Sequence, residues 1–177
     1  MDKQKTGAVM RHQQYILFYS GIAILAFGLW AAVKLVLNLT VHPFPWNDAK
    51  GLAQYTDNDK LLIALLTYGI IALFLMLTLL NRAYICRCAM QEAVGKKSHY
   101  LYLLLTIFLF LINFLSAYSA MLKYMTGDYS SNQYLISEQG ITTTFIEFTG
   151  ELSLVLTVIS AIRLKWLRRK LKQQEQT

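Results

Sequence analysis

Glu147 and Glu151 are the two acids of this chain that fall within a long apolar stretch. Four residues apart, they share one face of a helix. Lys34 lies near the end of another apolar stretch. In a third, Asn113, Ser116, Ala120 and Lys123 follow one another at helical spacing. Counting inward from the outer boundary at about 1.5 Å per residue puts Lys123 at the edge and Lys34 and Glu147 a few ångströms inside. Glu151 falls roughly 10 Å deep by the same count. A charge at mid-membrane costs about 2.5–3.5 kcal/mol on insertion scales, so such charges turn inward and find partners. Two Lys and two Glu at similar depth could therefore meet beneath the outer surface. That cluster could serve as a proton or cation relay, or as a polar ligand site. A plainer reading has Glu147 complementing the positive end of its helix while both Lys side chains reach to the interface. Glu151 fits the plainer reading least well, because it lies a full turn deeper.

Other chemistry is sparse. Cys86 and Cys88 form a Cys-x-Cys with no His beside it. In a cytoplasmic loop both thiols are expected to stay reduced, with acylation as an alternative use. No Walker loop, HExxH, GxSxG or dinucleotide fingerprint occurs. No catalytic residue, metal-ligand set or cofactor is therefore expected.

The elements that must position these residues are four apolar blocks. Hydrophobic residues make up 55% of the 177 and charged residues 15%, against about 45–50% and about 25% in soluble domains. The spans are expected at about 15–37, 61–80, 100–122 and 145–164. Each is near the 20 or so residues that cross about 30 Å of hydrocarbon. Helices are the expected form, since lipid offers no partner to an open strand edge. The fold class is an all-α membrane protein, four transmembrane helices in two hairpins, forming an up-down-up-down bundle. Residues 1–177 make one such domain, ending in a basic cytoplasmic tail over 163–177. Asp57, Asn58 and Asp59 precede the second block and Ser98 the third, as helix caps do.

Basic residues set the orientation. Segments 1–14, 81–99 and 163–177 together hold thirteen Lys and Arg, against three in 38–60 and 123–144. Both termini are expected in the cytoplasm, and the membrane is read as a bacterial cytoplasmic one. The net charge of +7 is then a topology signal, and nucleic acid is not an expected partner. The four-span layout is similar to that of the quinone-linked disulfide-generating membrane proteins. Those carry Cys pairs on the external side, where this chain has no Cys.

Two surface features complete the reading. His42-Pro43-Phe44-Pro45-Trp46 has the make-up of a segment lying at the membrane interface, or of a partner epitope. The tail places Leu164, Leu167 and Leu171 on one face among six basic residues. It is expected to lie along anionic headgroups. Small residues four apart, Gly28 with Ala32 and Ser153 with Thr157, suit close helix packing, within the monomer or along a homo-oligomer seam. The expected function is that of a small, non-catalytic accessory or partner-binding subunit of a membrane complex. The alternative is a small transporter or ion- or proton-translocating oligomer, using Lys34, Asn113, Lys123, Glu147 and Glu151. The lipid bilayer, a membrane protein partner and a second copy of the chain are the partners considered.

Overall fold

A computed structural model describes residues 3–41, 56–96, 98–125 and 138–176. Among them it has four helices: α1 (Lys3–Val41), α2 (Asp57–Ala93), α3 (Leu101–Met125) and α4 (Glu138–Gln176). The interface segment around His42–Trp46 lies outside the described residues.

Three helices are much longer than their apolar blocks. α1 and α4 have 39 residues each and α2 has 37, so each is roughly 55–58 Å long at about 1.5 Å per residue. The stretch 81–93, expected as part of a cytoplasmic loop, is the last three turns of α2. The tail, expected on headgroups, continues α4 without interruption, and Leu164 and Leu167 are buried in the bundle. Hydropathy blocks mark where a helix is greasy, whereas its ends are set by backbone chemistry. At the end of α2 that chemistry is a Schellman motif. Gly95 N–H donates to the Glu92 carbonyl at 3.1 Å and Lys96 N–H to the Gln91 carbonyl at 3.0 Å. Gly95 takes φ +97°, a conformation that costs a residue with a Cβ.

Two of the helices, over Thr6–Thr40 and Asn58–Ala93, are long and apolar enough to cross a membrane. In α3 the described apolar stretch is the shorter Leu101–Leu115. Hydroxyls within these helices are satisfied locally. Thr67, Thr78 and Thr106 donate to the carbonyls of Ile63, Phe74 and Tyr102, at 2.9, 2.8 and 2.6 Å. Such back-bonds satisfy a Thr hydroxyl within its own helix.

The helices form a ring in chain order, with α1 closing against α4 and only light contact between α2 and α4. Neighbours run antiparallel. Along α1, Gly21 abuts Ala89 and Gly28 abuts Arg82, so α2 descends as α1 rises. On the other side Ser20 accepts a hydrogen bond from Thr157 at 2.8 Å, and Gly150 faces Phe27. A Cβ added at Gly21 would lie 3.0 Å from that of Ala89, so a small residue there is what allows α1 and α2 to approach. The core gathers at one end of the ring. Leu17, Ile24, Ile85, Ala89, Tyr102, Leu154, Ala161 and Leu164 meet there. The opposite half of α2 is exposed on nearly every side, from Leu61 through Leu80.

Candidate functional site

Two carboxylates on different helices, Glu92 buried and Glu151 half-buried, hold most of the bundle's polar chemistry. The first is Glu151 on α4. Asn113 Nδ2 on α3 donates to its Oε1 at 2.7 Å. Across the bundle, the Arg82 guanidinium of α2 lies within electrostatic reach of the same carboxylate. Arg82 crosses to α1, where Nη1 donates to the Ile24 carbonyl at 3.3 Å. Its aliphatic stem lies against Gly28, and a Cβ there would collide with Arg82 Cδ. The missing side chain of Gly28 is therefore the slot that admits Arg82. A hydrogen bond thus ties Glu151 on α4 to α3, and Arg82 ties α2 to α1.

Of the five residues expected to cluster, the structure joins Asn113 and Glu151 directly. Lys34 is half-buried on α1, two residues beyond the buried Ala32. Lys123 and Glu147 lie on α3 and α4, but their side chains fall outside the described ones.

The second carboxylate, Glu92, lies near the end of α2 and is 1% exposed. Its Oε2 accepts hydrogen bonds from Tyr102 and Ser98, both at 2.5 Å, and pairs with Lys165 Nζ at 3.6 Å. Its backbone carbonyl accepts Arg168 Nη2 at 2.5 Å. Lys165 also sits over the Tyr100 ring, 3.9 Å from the centroid, and Arg169 donates to the Tyr100 hydroxyl at 3.2 Å. Ser98, expected as a helix cap, spends its hydroxyl on Glu92 instead. Leu103 and Leu104 N–H groups are taken by the Tyr100 carbonyl. The result is a clasp joining α2, the α2–α3 turn, α3 and α4.

Neither Arg82 nor Glu92 was expected here, because both fall past the second apolar block. A signal for them exists in the sequence. Arg82, Ile85, Cys86, Ala89, Glu92 and Ala93 follow the i, i+3, i+4, i+7 pattern of one helix face. Cys86 and Cys88, expected in a loop, are buried on this same part of α2 as free thiols.

Two lateral grooves flank α1. One, of about 440 Å³, runs between α1 and α2 and ends at Arg82. The other, of about 470 Å³, runs between α1 and α4 and is lined by Tyr15, Tyr19, Phe27 and Leu156 among others.

No known protein family, curated protein or solved structure matches this chain. Both carboxylates accept hydrogen bonds from neighbouring helices, and neither lines either groove. Such an arrangement holds helices in register.

Proposed function

We propose that this chain is a four-span membrane protein acting as a non-catalytic, partner-binding subunit, with α2 as the docking helix. The observation that carries the reading is a register on the outward face of α2. Leu62, Leu66, Gly69, Leu73, Met76 and Leu80 alternate at steps of four and three residues, and all six are exposed. That is the a/d spacing of a helix seam, which supercoils against a second helix. Leu73 is 71% exposed, and open space surrounds a Cβ built on Gly69. A glycine in mid-seam lets a partner backbone come close.

The pairing of the two carboxylates supports this reading over transport. Glu151 is held by Asn113 and Glu92 by Tyr102, Ser98 and Lys165. Pairing of this kind locks the bundle that presents α2. The clasp residues Glu92, Ser98, Lys165 and Arg168 belong to segments 81–99 and 163–177, which with 1–14 carry thirteen Lys and Arg, and that excess supports a cytoplasmic clasp. In this reading both termini are cytoplasmic.

Extraction in a mild detergent tests the proposal. A stoichiometric membrane protein partner should co-purify with the wild type and be lost when Leu66 and Leu73 are both changed to Lys. Cation or proton flux in proteoliposomes of the chain alone, abolished by Glu151→Gln with the fold intact, would replace this function with transport.

A further inference from the structure

We infer that the corner where α3 begins and α4 leaves the membrane binds one anionic phospholipid of the cytoplasmic leaflet, its phosphate held by Arg169 and Lys170. The inference rests on the membrane-spanning reading of the helices. It concerns α3 and α4 and leaves the α2 seam untouched, so either proposal can fail without the other.

The outward face of α4 changes character along its length. Leu152, Ile159, Ile162 and Trp166 follow one another at helical spacing, and all are exposed. One turn beyond Trp166 stand Arg169 and Lys170, also exposed. From Ile162 to Arg169 the helix rises about 10 Å. Apolar, aromatic and cationic side chains thus succeed one another over a short rise, in the order of hydrocarbon, interface and headgroups. α3 makes the same crossing at the same height. Arg169 Nη2 donates to the Tyr100 hydroxyl at 3.2 Å, and Leu101, Leu104 and Phe108 beyond Tyr100 are exposed.

The cations at this corner are not used up inside the protein. Glu92 is buried and already paired with Lys165 at 3.6 Å. Arg169 has five N–H donors, and among the described residues it gives a hydrogen bond to one neutral hydroxyl. Lys170 Nζ sits over the Trp166 ring, 4.2 Å from the centroid. Neither cation meets a carboxylate among the described residues. Arg and phosphate make strong charge-assisted hydrogen bonds, frequently bidentate. Tyr100 steadies one cation and Trp166 the other, and both rings are exposed. Leu104 and Ile162 lie one turn deeper, where the chains of the same lipid would cover them. A free phosphate gains nothing from those two residues, so the ligand is a lipid.

Fluorescence of Trp166 tests the site, in the full chain carrying Trp30→Phe and Trp46→Phe in mixed micelles with phosphatidylcholine. Phosphatidylglycerol with a nitroxide high on one acyl chain, at a low fraction, should quench the emission. Phosphatidylcholine with the same label should quench far less. Unlabelled phosphatidylglycerol should relieve the quenching, and glycerol 3-phosphate should not. Arg169→Gln with Lys170→Gln should lower the preference for phosphatidylglycerol about tenfold or more. Both positions are exposed, so the buried clasp is left in place. Arg11→Gln with Lys96→Gln removes the same charge from other exposed positions and should leave the preference unchanged. An equal loss in that pair would reduce the site to diffuse surface attraction and overturn the inference. Equal quenching by the two labelled lipids, or relief by glycerol 3-phosphate, would overturn it without any change at Arg169 or Lys170.

Discussion

Replacing Glu92 by Gln removes one charge and keeps the shape of a side chain that is 1% exposed. The amide oxygen still accepts from Tyr102 and Ser98, but as a neutral acceptor. Hydrogen bonds to charged groups are worth about 1.5–3 kcal/mol against about 1 for neutral ones. Two weakened bonds thus cost roughly 1–2 kcal/mol by the same scale. Lys165 also loses its counter-ion at 3.6 Å. Breaking a fully buried pair costs about 3–5 kcal/mol. That figure needs discounting, because the Lys165 side chain is 18% exposed and keeps the Tyr100 ring. A total of about 2–4 kcal/mol follows. The thiols offer a local readout, since Cys86 and Cys88 are buried within two turns of Glu92. Their rate of modification by a soluble maleimide in detergent should rise in Glu92→Gln, alongside a lower unfolding temperature. Lys165→Met in the same chain should restore part of the loss, because it removes the uncompensated charge. Strictly additive effects of the two substitutions would refute the clasp.

Three further outcomes are expected. Glu151→Leu and Asn113→Leu should be strongly non-additive in thermal unfolding, since either substitution alone removes the 2.7 Å bond between them. Gly95→Ala should destabilise by about 1 kcal/mol or more, because the helix end requires a left-handed residue; unchanged unfolding would contradict the Schellman stop. With Cys86 and Cys88 replaced, single Cys at Ser130 and Gln173 should differ on intact cells. An impermeant thiol reagent should label position 130 and spare position 173, and the reverse pattern would invert the topology.

Periodicity and charge made much of the architecture readable. Four apolar blocks became four helices, and of the five polar residues singled out, Asn113 and Glu151 are joined by a hydrogen bond. Ends were less readable, because hydropathy falls off at Leu80 while the helix runs on to Ala93. Beyond Leu80 the inward face is carried by Arg82, Cys86, Ala89 and Glu92, residue types that look like a loop to a hydropathy average. Glu92 was hidden for the same reason. Its partners lie at Ser98, Tyr102 and Lys165, and the last is 73 residues away in sequence, so only the folded ring brings them together. The helical pattern puts Arg82 on that inward face, but its slot against Gly28 shows only in the folded ring. The tail's Leu164 and Leu167 did signal an apolar face, but sequence alone could not say whether lipid or protein covered it.

The central claim is that α2 docks a partner along one seam. A photo-cross-linking residue placed singly at each position from Leu61 to Leu80, in native membranes, tests it most directly. Cross-links to one protein species should peak at 62, 66, 69, 73, 76 and 80 and fall between them, following the 3.5-residue repeat. Lipid adducts alone, or cross-links without that period, would contradict it.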